Sequence, residues 1–257
     1  TTVAVDASAV TALSGSYSEI VALYGSSGVS GLNNESITIT GGNLSVEEAN
    51  VIDALTTGSV TASIATTETI DSLKTLTGTN NAYTIVISET SASASDLNTI
   101  NGLTTATVNL TNVTSVTSGA LSDLDTLATA INASPAQFIN ATNLTTNAVS
   151  DSAIDITSSA STIDSLDQID SSSIDMTMAS GATITVAASE ITHMLADESL
   201  GRLTISDQNI TVEGAISVSD ANLLDATTTG VVTAEISSSS VDTLKTLTGT
   251  NAYTITI

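Results

Sequence analysis

"LKTLTGTN" reads identically at Leu73–Asn80 and at Leu244–Asn251, and both copies run on into Ala-Tyr-Thr-Ile, at Ala82–Ile85 and at Ala252–Ile255. The stretch pairs no nucleophile with a base and holds no set of metal ligands, so its recurrence is structural. Working outward, Ser18-Glu19-Ile20 matches Ser189-Glu190-Ile191. "ESITITGGNLSVEEANVIDALTTGSVTASI" (Glu35–Ile64) matches "NITVEGAISVSDANLLDATTTGVVTAEI" (Asn209–Ile236). The offset drifts over roughly 170 to 173 residues, as insertions in turns would make it do. A super-repeat of roughly 170 residues is therefore present about one and a half times.

A finer period lies inside it. Strand-like runs, with β-branched residues alternating with small or polar ones, occur at 36–40, 59–64, 82–87 and 106–110, about 23 residues apart. Others occur at 153–157, 173–178, 182–186, 202–206, 209–212, 231–236 and 252–257. Short helical patterns lie between them. Ser45 and Glu48 form a capping box ahead of "VEEANVIDAL", and Ile70, Leu73 and Leu76, or Leu97 and Ile100, repeat at helical spacing. Gly58, Gly78, Gly102, Gly230 and Gly249 follow these turns, where a left-handed residue ends a helix.

"LKTLTGTN" is thus a helix exit, its glycine stop and a turn into the next strand. The expected fold is a repeat solenoid of the α/β class. Parallel strands alternate with short helices in coils of about 23 residues, and stacking buries the apolar edge that one coil cannot bury alone. A pure β-solenoid, with the helices read as turns, is the alternative. Residues 1–17 read as the end of a preceding repeat. Residues 18–188 form one full super-repeat, and 189–257 are the start of the next, truncated. "ALSDLDTLATAIN" (Ala120–Asn132), stopped by Pro135, forms a longer helical insertion near 114–143, with Leu121, Leu124, Leu127 and Ile131 on one face. Both ends of the chain read as strands, so it is taken as a segment of a longer one.

Composition narrows the function classes. Of 257 residues, 27 are Asp or Glu and 3 are Lys or Arg, a net charge of −24. Nucleic acid and anionic membrane surfaces are excluded as partners by the missing basic patch, and no apolar run is long enough for membrane insertion. There is no Cys, no Trp, one Phe, one Pro and one His, so the core must be aliphatic and no disulfide staples it. Ser and Thr supply about a third of the chain, which points to an extracellular or cell-surface setting.

His193, the only His, has no second His or Cys to share a zinc ion or a catalytic dyad. Lys74 and Lys245 hold the same repeat position near a helix C-terminus, where a cation complements the dipole; Arg202 is isolated. The carboxylates are the abundant reactive groups. Asp151, Asp155, Asp164, Asp167, Asp170 and Asp175 crowd one stretch and are the candidate calcium ligands, and Asp123 and Asp125 form a local pair. Their other reading is a solvated acidic face with helix caps at Asp71, Asp96 and Asp242. Catalytic residues and cofactors are expected to be absent, calcium apart. Asn34, Asn109, Asn112, Asn132, Asn140 and Asn143 open glycosylation triplets. Thr-x-Thr runs at Thr38, Thr183 and Thr254 resemble ice-binding arrays, but Thr61-Ala-Ser63 and Thr84-Ile-Val86 break their register.

"SGLNNESITITGGNLSVEEANVIDALTTGSVTASIA" followed by "TIDSLKTLTG" resembles the repeat stretches of giant repetitive cyanobacterial cell-surface proteins. The resemblance covers Val10–Leu110 best and Glu190–Ile257 as a second copy, while Thr114–Ser180 departs from it. It implies a very large, acidic, secreted repeat protein and carries over no catalytic residue. The expected function is structural: a rod or filament serving as an appendage, coat or stalk, its partners being adjacent repeats or copies of itself end to end. A calcium-stiffened adhesin arm, touching calcium or glycans, is the alternative, and a polysaccharide-acting solenoid enzyme a remote one.

Overall fold

Alternation of β-branched with small residues gives each strand one apolar edge, and every strand pair among the described residues is parallel. Parallel neighbours need a crossover between them, which the short helices supply. The computed structural model describes residues 3–117, 119–141, 144–146, 153–155, 176–201 and 203–255. It divides into two units, Thr1–Thr114 with Ala130–Ala141, and Ser115–Thr129 with Thr142–Ile257.

The first unit runs β1 (Val5–Asp6), β2 (Ala12–Gly15), α1 (Tyr17–Tyr24), β3 (Val29–Ser30), β4 (Ser36–Ile39) and α2 (Val46–Asp53). It continues with β5 (Val60–Ser63), α3 (Ile70–Leu73), β6 (Ala82–Val86), β7 (Ser91–Ser93), α4 (Ala94–Asn101) and β8 (Val108–Asn109). β9 (Ser115–Thr117) and most of α5 (Leu121–Asn132) fall in the second unit; back in the first, β10 (Phe138–Ile139) closes a six-stranded sheet of order β10-β8-β6-β5-β4-β2. Ala12 faces Ser36, Ile37 faces Val60, Thr61 faces Ala82, Ile85 faces Val108 and Val108 faces Phe138, steps of 24, 23, 21, 23 and 30 residues. The longest step contains α5, where the sequence places the longer helix. In α5, Leu124, Leu127, Ala128 and Ala130 are buried, with Leu121 and Ile131 half-buried at the edges of the predicted face.

In the second unit come β11 (Thr145–Thr146), β12 (Ala153–Asp155), β13 (Met176–Thr177), β14 (Thr183–Ala187), a 3₁₀ turn at Ala188–Glu190 and α6 (Ile191–Ser199). Then follow β15 (Leu203–Thr204), β16 (Asn209–Ile216), α7 (Val218–Thr227), β17 (Val232–Ile236), α8 (Val241–Leu244) and β18 (Ala252–Ile255). The five-stranded sheet has the order β12-β14-β16-β17-β18. Ile184, Ile210 and Val232 form one apolar ladder across it, and Ile216, Ile236 and Ile255 another. A register shift between Thr211 and Ala215 lets both ladders share β16, with Gly214 at φ +101° in the bulge.

The helices bury every third residue: Val46, Ala49 and Ile52 in α2; Ala94, Leu97 and Ile100 in α4; Val218, Ala221 and Leu224 in α7. That spacing keeps one stripe on the sheet with few residues. The Ser45–Glu48 capping box is formed, Glu48 N donating to Ser45 Oγ at 3.1 Å and Ser45 N to Glu48 Oε2 at 3.0 Å. Ser16 and Glu19 form a second box on α1 that the sequence reading passed over. Among the described residues no helix is long and apolar enough to cross a membrane.

The glycines divide by cause. Gly78 and Gly249 are left-handed, at φ +81° and +71°, as expected. Gly102, however, ends α4 in the right-handed region at φ −68°. Gly58 and Gly230 are not left-handed at all. A Cβ on Gly58 would sit 2.3 Å from the carbonyl oxygen of Glu35, and one on Gly230 2.2 Å from that of Gln208. Close passage of two backbones, rather than a turn, fixes glycine there. The core also holds an aromatic that composition argued against: Tyr83 is fully buried on β6.

Candidate functional site

The repeated "LKTLTGTN" is one half of a polar joint. The other half is an Asn-x-x-Asp on the helix two elements earlier, Asn50 and Asp53 at the end of α2, where helical spacing puts both on one face. Asn50 Nδ2 donates to the Thr75 carbonyl at 2.8 Å and its Oδ1 accepts from Thr77 N at 2.8 Å. Asp53 accepts from Thr77 Oγ1 and from Asn81 Nδ2, both at 2.7 Å. Asn81 Oδ1 then accepts from Val60 N at 2.7 Å, and its Nδ2 also donates to the Tyr83 hydroxyl at 3.0 Å. Gly78 lies inside this ring, where a Cβ would fall 2.2 Å from Asn81 Nδ2.

The second copy repeats the bonds of Asn50 and Asp53 and the Asn81–Val60 bond, but Tyr253 Oη donates to Ala221 O at 3.3 Å where the Tyr83 hydroxyl accepts from Asn81. Asn222 bridges Thr246 O and Thr248 N at 2.8 and 2.9 Å. Asp225 accepts from Thr248 Oγ1 and Asn251 Nδ2 at 2.7 Å each, and Asn251 Oδ1 accepts from Val232 N at 2.9 Å. The structural partner of Asn251 is therefore Asn81 and not Asn80, which aligns with it by letter. Asn80 is an added residue in the turn.

A second device sits just after the helix. In Leu55-Thr56-Thr57, Leu103-Thr104-Thr105 and Thr227-Thr228-Thr229 the middle threonine is buried. Thr56 Oγ1 donates to the Glu35 carbonyl and Thr228 Oγ1 to that of Gln208, both at 2.6 Å. Thr104 Oγ1 accepts from Tyr83 N at 2.9 Å and donates to Tyr83 O at 2.8 Å. The third threonine's amide bonds a carbonyl on the neighbouring segment: Thr57 to Asn33, Thr105 to Asn81 and Thr229 to Ser206. These clips satisfy backbone groups where the strand has not yet begun to pair.

The residues clipped before the strands are themselves buried and polar: Glu35, Asn81 and Gln208. Glu35 accepts from Tyr24 Oη at 2.7 Å and Asn33 N at 3.1 Å. Burial pushes its carboxyl up, but the hydrogen bonds from Tyr24 and the neighbouring amides outweigh this and hold it below the ordinary glutamate value. Burial and that same carboxylate raise the Tyr24 hydroxyl to about 12. Gln208 does the equivalent work uncharged, its Oε1 accepting from Ser206 N at 2.7 Å and its Nε2 donating to Ala179 O at 3.1 Å.

A pH dependence follows. A depressed folded pKa contributes stability above the unfolded value near 4.5, and the contribution is lost as pH falls through the folded pKa. The stability gap between wild type and Glu35→Gln is expected to be flat well above pH 4.5 and to close as pH falls below it, in urea melts at stepped pH. A gap that widened in acid would refute this account of Glu35.

Other carboxylates cap helices across segments. Glu68 Oε1 accepts from Val46 N, the first helical amide of α2, at 3.2 Å, and Glu89 Oε1 from Ile70 N of α3 at 2.7 Å. Each acid lies about one sheet step beyond the helix it caps, so dipole and orphan amide are satisfied between neighbours. Lys74 Nζ contacts Asp71 at 2.9 Å and Asp96 on α4 at 2.7 Å; Lys245 Nζ contacts Asp242 at 2.9 Å.

Of the calcium candidates, Asp151, Asp164, Asp167, Asp170 and Asp175 lie outside the described residues, as do Arg202 and Asn143. Asp155 ends β12, in register with Thr185. Among the described residues no group of three or more His, Cys, Asp or Glu side chains is placed to hold a metal ion. His193 is half-exposed, its Nδ1 3.7 Å from Glu190 Oε2. Asp123 and Asp125 are half-buried on α5. Among the glycosylation triplets Asn34 is exposed, whereas Asn112 Nδ2 is bonded to Ile87 O and Asn140 Nδ2 to Asn109 Oδ1. Threonines do stack in one row, Thr185–Thr211–Thr233, but the row ends at Ala252. A groove of about 400 Å³ beside Asn101, Thr104, Pro135 and Gln137 is lined by no titratable side chain.

Compared with protein-family models, curated proteins and solved structures, the chain matches none. The Asn-x-x-Asp joint and the paired threonines were missed in the sequence reading. Their signal was available: Asn-x-x-(Asp/Asn)-x-x-Thr-Thr recurs at Asn50, Asn98 and Asn222.

Proposed function

We propose that the chain is a stretch of an α/β repeat solenoid, and that it works as a structural rod or filament at the outside of the cell. The observation that carries this reading is the joint. The same six-bond pattern, helix Asn and Asp to turn Thr and Asn, is built independently at Asn50–Asn81 and Asn222–Asn251. Side chains that would serve a site are used instead to tie successive segments, and segments tied at a regular step make a stiff stack. Cross-segment capping accounts for part of the acidity, and the remaining charge keeps neighbouring rods apart. The giant cyanobacterial surface proteins that the first copy resembles are the class that fits. The partners are adjacent repeats and further copies, and the role is mechanical and not enzymatic.

Tandem chains of one to four copies test it. Particle length in electron micrographs is expected to rise linearly with copy number, at about 4.8 Å per added strand. Growth as the cube root of mass would sink the proposal. Chelator is expected to leave the lengths and their straightness unchanged; loss of straightness would transfer the case to the calcium-stiffened arm.

A further inference from the structure

The two copies of the joint differ in what lies beyond them. In the first, Ile70, Leu73, Leu76, Tyr83 and Ile85 are all buried. β8 pairs with β6 there, α4 lies against α3, and Thr104 and Thr105 clip the main chain of Tyr83 and Asn81. In the second, the matching face is open: Val241 is 55% exposed and Ile255 43%, and Leu244, Leu247 and Tyr253 are half-buried. Among the described residues β18 is the last strand of its sheet. Lys74 reaches a carboxylate on its own helix and a second, Asp96, on the covering helix; Lys245 contacts the first kind, Asp242.

We propose that the outer face of Val241–Ile255 is a docking surface for one further helix–strand segment built like Ala94–Asn109. This rests on the stacked reading and names its recognition code. The occupant is fixed by the internal duplicate, which shows what covers this face when it is covered. It brings a Ser-x-x-Asp helix start, whose acid pairs with Lys245 as Asp96 does with Lys74. It brings a helix with an apolar stripe at every third position, as Ala94, Leu97 and Ile100 form, lying against α8 as α4 lies against α3. It ends in paired threonines, whose hydroxyl and amide bond the main chain of Tyr253 and Asn251 as Thr104 and Thr105 do that of Tyr83 and Asn81. A generic apolar peptide lacks the carboxylate and the threonine clip.

The alignment places Ile257 opposite Ile87, so a copy of Ser88–Val116 appended after Ile257 restores the order of the first copy. Backbone hydrogen exchange is then read at Tyr253. The extension is expected to slow exchange there at least tenfold, and Thr104→Val in the appended copy to abolish most of that slowing. Equal exchange at Tyr253 with and without the extension would overturn the docking surface. Slowing that survives Thr104→Val would overturn the threonine code. Slowing in the unextended chain that grows with protein concentration would overturn the choice of occupant in favour of a second copy. None of these outcomes bears on the linear growth of tandem chains, so failure here and failure of the rod reading are separable.

Discussion

Gly58→Ala is expected to destabilise the first unit by about 3 kcal/mol, one of the largest effects of any single methyl in the chain. The added Cβ would lie 2.3 Å from the Glu35 carbonyl oxygen, 2.6 Å from its carbon and 2.8 Å from the Asn34 oxygen. These are backbone atoms, so no rotamer change relieves the overlap. Moving them would also break the bond from Thr56 Oγ1 to the same carbonyl. Gly41 is the control. It has φ +85°, and a Cβ there would meet nothing within 4 Å, so alanine incurs only the left-handed penalty of about 1 kcal/mol. Urea unfolding followed by circular dichroism compares the two; equal losses would mean that the close approach is not what fixes Gly58. Gly230→Ala, with Gln208 O at 2.2 Å, is expected to repeat the result in the second unit.

Asn81→Ala is expected to cost about 3 kcal/mol and Asn251→Ala about 1 kcal/mol, although both accept from a strand amide and donate to the helix aspartate; Asn81 adds a bond to the Tyr83 hydroxyl. Asn81 is 2% exposed, so its loss leaves the buried Val60 amide unsatisfied and takes a donor from one Asp53 oxygen. Asn251 is half-buried, and water can replace part of what it gave. The difference, read as paired midpoints in denaturant, measures burial of the shared bonds together with the added bond to Tyr83. Equal costs would show that the joint contributes by geometry alone and independently of its covering.

The α/β class, the strand positions and the Ser45–Glu48 box were legible because each is a local pattern: alternation, spacing of three, a cap. Short strands such as β2, β3 and β7 were not, since their pairing partner lies outside the window that periodicity samples. Gly58 was read as a helix stop because sequence shows a glycine's neighbours along the chain and not the carbonyl that crosses it. Tyr83 was misjudged through composition, which counts aromatics without saying which one has a buried amide beside it. The acids were read as a field. What they do depends on the segment about 20 residues away, as Glu68 on Val46 and Glu89 on Ile70 show. Only half of the joint stands in the repeated "LKTLTGTN". Its other half, Asn50 and Asp53, precedes it by a strand, and only folding brings the two together.

Each copy of the repeat carries both halves of the joint, the helix Asn and Asp and the turn Thr and Asn. A crossover between the two gene copies, anywhere within the matched stretch, therefore yields a hybrid whose halves still fit. The extra Asn80 is accommodated in the turn, so the two copies need not match in length at that point. If the chain is the repeat stack proposed above, its length can be gained or lost in whole units while every remaining joint stays matched, and length becomes a heritable trait that selection can tune without redesigning a single contact.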